Sequence, residues 1–351
     1  MIRRQRQRGG DASTNVQAGR DLTLHQGLTV DEVREIALGV FHQNFLELRG
    51  VAEEIALGRA EKITNEFLRA LEERAPLALA SASDPDMQRA IFDAQREYAC
   101  SGDEDLETVL VDLLVDRANE PVRETRTIVL NEAITAAPKL TGQQRRAVAV
   151  CFLVKYTRWS GLATLENFFD VYLRGNLLPL ADDLPTKPAA YQHIEYVGAG
   201  AVGLGHISLL DGIRRNGGRG YFTRGVARDE LPDPLQPLAD NGSIFMPCIR
   251  NAANLQLRAA GEEDLSTLLE NLGDPDLEPH VRQVYGTGVF SNDEMHDDIV
   301  ANVPEFQDLM DAWDKSSLSQ LTLTSVGIAI GHGYWRRTTG GTAELSVWIS
   351  D

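Results

Sequence analysis

The sequence predicts a predominantly helical α+β protein, and three observations carry that prediction. Apolar residues recur at helical spacing from Leu28 to Leu173, with capping residues where the periodicity starts. Around Asp182-Asp183-Leu184-Pro185-Thr186-Lys187-Pro188 the periodicity stops and two prolines mark a linker. Beyond it glycine rises and short strand-like runs alternate with two helical stretches. We read four segments: a basic, strand-forming arm over 1–28, a long amphipathic helix over 29–75, a helical bundle over 76–181 and a smaller glycine-rich α+β domain over 186–351. A chain of 351 residues, 43% hydrophobic and 25% charged, can bury a sizeable core as a soluble globular protein.

The arm carries the clearest functional signal. Val16, Ala18, Leu22 and Leu24 stand at even spacing, the period of a pleated strand. Asn15, Gln17 and Gly19 lie among them. A short strand with amide side chains and little apolar surface folds poorly alone but stacks well on copies of itself, where each amide ladders with the next. We therefore expect Asn15, Val16, Gln17, Ala18 and Gly19 to make a self-contact, with Leu22 and Leu24 in support, and the chain's main partner to be itself. Four arginines between positions 3 and 8 make the terminus basic on a body of net charge −18. Such a tail suits solvent, a membrane surface, an RNA or an acidic partner. The overall charge argues against binding duplex nucleic acid.

Each later element has a local reason. Thr29 and Glu32 form a capping box, with Leu28 and Val33 in the staple positions. Apolar residues then recur from Ala37 to Leu71 in steps of mostly 4, 4 and 3, an eleven-residue period. If continuous, this helix would run about 65 Å from Asp31 to Arg74, with Gly50 or Gly58 as places to bend. Its apolar face needs a partner, either the rest of the chain or a second copy. Pro76 ends it. Ser83-Asp84-Pro85-Asp86 starts the next helix, and further helices are expected over Asp103–Arg117, Val122–Ala136, Gln143–Trp159 and Leu165–Leu173. Thr141 with Gln144 repeats the capping box, and Val148 to Val154 is apolar on nearly all sides, as befits the bundle's centre. In the last segment, strands are expected at Tyr191–Val197, Gly220–Thr223, Ser243–Ile249, Leu318–Thr324 and Ala343–Ile349, with helices near Ala252–Leu272 and Asp293–Trp313.

Candidate chemistry concentrates between residues 198 and 228. Gly198, Gly200 and Gly203 have the spacing of a dinucleotide-binding loop after a strand, which would wrap a pyrophosphate on backbone amides. The surrounding order lacks alternating βαβ units, and Phe222-Thr223-Arg224 stands where an acidic ribose partner belongs, so a tight structural turn is the better account. The island Arg214-Arg215-Asn216-Gly217-Gly218-Arg219-Gly220-Tyr221-Phe222-Thr223-Arg224 interleaves cations with aromatics. Arg215, Arg219 and Arg224 suit an anionic ligand or a single-stranded nucleic acid, and equally a hairpin whose arginines balance nearby acids. Asn292 to Asp298 reads as an acidic helix N-terminus rather than a calcium loop. Leu321 to Gly333 reads as a buried strand-to-helix corner, in which Gly327 and Gly331 allow close packing. Cys100, Cys151 and Cys248 are odd in number and far apart, which fits a reducing cytoplasm. No apolar run reaches the ~18 residues of a spanning helix. No cofactor, metal site or catalytic residue is expected, and the absence of nucleophile-elbow, Walker and zincin motifs leans against an enzyme.

The tetrad Val16-Gln17-Ala18-Gly19, with Asn15 before it, resembles amyloid-signalling motifs of the RHIM-like type. The wider Gly-Gly-Asp-x-Ser-Thr-Asn-Val-Gln-Ala-Gly text is similar to bacterial versions that stand at the tips of immune-type signalling proteins. Over nearly its full length, through Ala137 to Thr141 and Leu323 to His332, the chain resembles an uncharacterised bacterial family. The close of the chain also resembles winged-helix-like domains of phage-abortive proteins. What these resemblances imply is a self-assembling cytoplasmic protein of bacterial conflict or defence, with a C-terminal domain that meets a protein partner. The alternative is that this domain binds a ligand or catalyses a reaction through residues 198–228, with assembly as its scaffold.

Overall fold

The computed structural model describes residues 28–44, 50–158 and 164–350. The self-contact residues Asn15, Val16, Gln17, Ala18, Gly19, Leu22 and Leu24 lie outside them. The described chain begins as anticipated: the Thr29 amide donates to Glu32 Oε2 at 2.7 Å, and the Glu32 amide donates to Thr29 Oγ1 at 3.3 Å. The long amphipathic segment is two helices, α1 (Val30–Asn44) and α2 (Val51–Arg74), the second starting after Gly50, one of the two places named for a bend. They fold back on each other: Arg34 Nε donates to Asn65 Oδ1 at 3.0 Å, and Phe41 packs with Ala56, Ala60 and Ala99. Gly50, at φ +64°, caps α2 in a conformation that costs a glycine little. Of the expected apolar seam, Ala37 and Phe41 on α1 and Ala56, Ala60, Ile63, Phe67 and Leu71 on α2 are buried, Ala52 is exposed, and Phe45 and Leu48 lie outside the described residues.

The bundle continues with α3 (Pro85–Ser101), α4 (Glu104–Ala118), α5 (Thr125–Ala136) and α6 (Gly142–Lys155). Local chemistry sets their starts. Asp84 accepts from the amides of Asp86 and Met87, Asp103 from that of Leu106, and Thr141 and Gln144 close a capping box at 2.9 and 3.3 Å. Val148 to Val154 on α6 are all fully buried. A π-helical segment, Asn167–Leu177, adds Phe168, Tyr172 and Leu173 to the core.

The remaining helices are α7 (Pro188–Val197), α8 (Leu209–Ile213), α9 (Glu262–Leu272), α10 (Glu278–Gly286), α11 (Asn292–Asn302), α12 (Phe306–Asp314) and α13 (Ser325–Thr339). The strands are β1 (Gly200–Val202), β2 (Phe245–Pro247), β3 (Leu255–Leu257) and β4 (Leu321–Leu323). They form two antiparallel pairs, β1 with β4 (Gly200 opposite Leu323) and β2 with β3 (Phe245 opposite Leu257).

Several sequence expectations need correction here. Tyr191–Val197 is helical, because Pro188 opens a first turn and buried Tyr191 and Ile194 are three apart. Gly220–Thr223 and Ala343–Ile349 are not strands but contain single 3₁₀ turns, Arg219–Tyr221 and Leu345–Val347. The stretch Ala252–Leu272 splits into β3 and α9. The stretch Asp293–Trp313 splits into α11 and α12 beside Pro304, which disfavours helix at Val303 before it. Ser291 and Glu294 form a capping box, so the acidic run does open a helix.

The strand-to-helix corner is present: β4 leads through Thr324 into α13, which packs against α4, α5 and α6. Glycine makes that approach possible. A Cβ on Gly327 would run into the Ala199 carbonyl, and one on Gly331 would lie 2.8 Å from Phe152 Cβ and 3.1 Å from Val148 O. One core therefore runs from Val33 to Ile349, with a smaller cluster from Val226 to Val284 around β2, β3, α9 and α10. Among the described residues no helix is long and apolar enough to cross a membrane.

Candidate functional site: a cationic cleft and a buried ion-pair cluster

The glycine and arginine motifs part company in three dimensions. Gly198 is the left-handed C-cap of α7, at φ +83°. The order is thus helix, turn, strand, the reverse of a dinucleotide-binding loop. The backbone amides there are already used: Gly198 donates to Glu195 O, Ala199 to Ile194 O and Gly203 to Gln320 O. Gly200 sits in β1, where a Cβ would press on Thr322 O at 2.7 Å. These glycines serve a tight turn and do not cradle a phosphate.

The arginines do line a cleft. After α8 the chain turns through Arg214–Gly218, with Gly217 at φ +98° and Gly218 too close to Ile213 O for a side chain. Asn216 Nδ2 donates to Val154 O at the end of α6, which fixes the turn against the bundle. Arg214, Arg215 and Arg219 then face a cleft of about 1040 Å³, joined by Lys155 and Arg158. Among the described residues Glu262 and Glu263 are the only acids in its lining, and Tyr285 and Trp348 supply aromatic surface. A second hollow of about 440 Å³ shares Thr157, Arg158, Ala343 and Trp348 with it.

The five cations differ in how firmly they are held. Lys155 Nζ donates to the carbonyls of Leu318, Ser319 and Leu321 at 3.2, 2.9 and 2.7 Å. Arg158 pairs with Glu263 at 2.7 Å and with Asp264. Arg214 meets Asp211 and Phe290 O, both at 3.2 Å. Arg219 donates to Tyr285 O and lies over that ring, 3.7 Å from its centroid. Arg215 is exposed and has no partner among the described residues. Arg224 lies elsewhere, paired with Glu294 at 2.6 Å and stacked on Phe290, where it balances an acid.

A second constellation escaped sequence reading. Asp112 and Asp116 on α4, and His332 and Arg336 on α13, are each one helical turn apart, so each pair shares a face. Asp112 accepts from Arg74 at 2.6 Å and from Arg336 Nε at 2.8 Å, and Asp116 Oδ1 accepts from Arg336 at 2.6 Å. His332 Nε2 lies 2.8 Å from Ala343 O, and its ring sits among Phe152, Trp335 and Trp348. Burial pushes the Asp116 carboxyl up to about 7 against the pull of Arg336. Burial pushes the His332 imidazole down to about 4. The signal was available in Asp112, an acid inside the apolar run Val109–Val115, and in Asp116 directly after it.

Asp112, Asp116 and His332 each offer one ligand-type atom within 4.8 Å of the others. The donor set does not suit a metal dication. Two guanidiniums already neutralise the two carboxylates, so an ion of charge +2 would be buried uncompensated.

A protein-family model described as “:-like” matches residues 27–349. The chain belongs to this family. The match takes in every described helix and strand, so cleft and cluster both fall within the family's extent, while residues 15–24 precede it. No curated protein and no solved structure matches the chain.

Proposed function

We propose that the protein is a cytoplasmic binding module that takes an anionic ligand in the cationic cleft and presents it on a self-associating scaffold. One observation carries the reading: on a chain of net charge −18, five cationic side chains converge on one cleft whose lining holds two acids. Arg215 supports it further, because an exposed arginine without an internal partner keeps its donor fork for a phosphate or carboxylate. Tyr285 and Trp348 favour an anion that also carries a flat ring. Titrating the full-length protein with ATP, and separately with inorganic phosphate, tests this through tryptophan fluorescence. Saturable binding weakened about tenfold or more by Arg215→Glu is expected, on the scale of one lost charge-assisted contact. Binding unaltered by Arg215→Glu, or no binding of either probe, sinks the reading.

Self-association remains the second part of the proposal. It is supported by Val16, Ala18, Leu22 and Leu24 at even spacing, with Asn15 before Val16 and Gln17 between Val16 and Ala18. The exposed Val51 and Ile55 on the first turns of α2 add apolar surface. The resemblance to amyloid-signalling motifs gives assembly a role in bacterial conflict signalling. Sedimentation velocity should show large species for the native chain that disappear in a Val16→Asp, Gln17→Asp double variant. Equal distributions would remove the arm from the account.

A further inference from the structure

The buried cluster leaves two polar atoms unsatisfied, and they face each other. Asp116 Oδ2 and His332 Nδ1 stand 3.8 Å apart, and neither finds a hydrogen-bond partner among the described residues. The His332 side chain is fully buried and that of Asp116 is 10% exposed. Two acceptors left bare in the interior are costly. The tautomer follows from chemistry: Ala343 O can only accept, so His332 Nε2 carries hydrogen and Nδ1 presents a lone pair. One additional proton between Oδ2 and Nδ1 would satisfy both atoms at once when they close by about 1 Å to hydrogen-bond distance.

We propose that Asp116 and His332 hold one shared proton, and that losing it to solvent transfers the single imidazole N–H from Ala343 to Asp116, releasing the C-terminal segment 340–350. The proton balance requires the exchange. With the shared proton present, the pair has two hydrogens for two contacts, Oδ2···Nδ1 and Nε2···O=C of Ala343. After its loss one hydrogen remains. The ionised carboxylate outcompetes a neutral carbonyl for it, because charge-assisted bonds are roughly twice as strong. Nε2 then turns a lone pair toward Ala343 O, and that tether is lost. Ala343, Val347 and Trp348 also line the cationic cleft, so the switch acts on its wall.

The surroundings leave the pair as the titrating unit. Arg336 from α13 and Arg74 from the end of α2 face it, together with Asp112 from α4, and these three are joined in ion pairs with one another. α6 contributes Phe152, and the C-terminal segment contributes Trp348 and the Ala343 carbonyl. α5, packed on both α4 and α13, buries Leu130, Ala133 and Ile134, while its Arg126 pairs with Glu120 and donates to Ile349 O.

Amide hydrogen exchange of the full-length protein tests the switch, read at Val347, Trp348 and Ile349, whose amides bond within the segment. Corrected for intrinsic rates, their protection should fall by up to about tenfold per pH unit once the pair titrates, the signature of one proton. In Asp116→Asn the side-chain amide donates to Nδ1 and has no proton to lose, so protection should stay level as pH rises above 6.5. Wild-type protection as level as that of the variant overturns the proposal. Imidazole ¹⁵N shifts in the wild type, assigned with His332→Gln, provide a readout that needs no folded Asp116 variant. A change of tautomer from Nε2–H to Nδ1–H on raising the pH is expected, and an unchanged tautomer from pH 5.5 to 8.5 overturns it. Zinc chloride alone is a further arm: a rise in melting temperature that Asp116→Asn abolishes would make the pair a metal site and end the proton account.

Discussion

At the scale of single residues, Asp116 and His332 set opposed pH dependences. His332 falls from an ordinary 6.5 to about 4, so its contribution to stability is present above 6.5 and is lost as pH falls through 4. Asp116 rises from 3.8 to about 7, so its contribution is complete below 3.8 and is lost as pH climbs through 7. Between about 4 and 6.5 the two slopes cancel, and the native protein's stability should be nearly level there. Removing one member exposes the other. Asp116→Asn should gain stability as pH rises across that window, by at most about 1.4 kcal/mol per pH unit. His332→Gln should lose stability over the same window. Urea denaturation at several pH values reads both slopes, and parallel curves for wild type and both variants would show that the pair does not titrate as described.

Among the elements, α13 is the one on which the fold turns, and glycine sets its distance from α6. Gly331→Ala puts a methyl 2.8 Å from Phe152 Cβ and 3.1 Å from Val148 O, with no flexible side-chain end to yield. A loss of about 1–3 kcal/mol is expected from overpacking a filled core, measurable as a lower urea midpoint. An unchanged midpoint would mean that the helices separate at no cost. This corner was legible in the sequence, as were the caps at Thr29, Asp84 and Thr141, because their donors and acceptors lie within three residues of one another. Tyr191–Val197 was misread because a short apolar run carries either period, and only Tyr191 and Ile194 settle into the core. The partner of the α1–α2 seam was left open in the sequence, and the buried positions among the described residues pack within the chain. The ion-pair cluster was illegible as a site, since Asp112 and Arg336 are 224 residues apart. Their i, i+4 spacings could be seen separately, but nothing local joins them.

At the scale of the whole molecule, residues far apart in sequence share one interior. The main core runs from Val33 to Ile349, and the cleft takes its walls from α6, the turn after α8, α9, α10 and the C-terminal segment. No single stretch of sequence contains the site, which is why the arginine island predicted part of it and the glycine spacing predicted none. Arg215 and Arg219 were legible as candidates because four arginines fall within residues 214–224, beside Tyr221 and Phe222. Arg224 carries the same local signature and is consumed by Glu294.

The placement of α13 also has a consequence in time. Its first residue, Ser325, follows the end of α6 at Lys155 by 170 residues, the difference between those positions. At roughly 5–20 residues per second, a ribosome needs on the order of ten to thirty seconds to cover that distance. Throughout it, the apolar face of α6 that α13 will cover stays open on the nascent chain, while residues 15–24 are already outside. A chain that closes its core with a helix made so late is most exposed to its neighbours during its own synthesis.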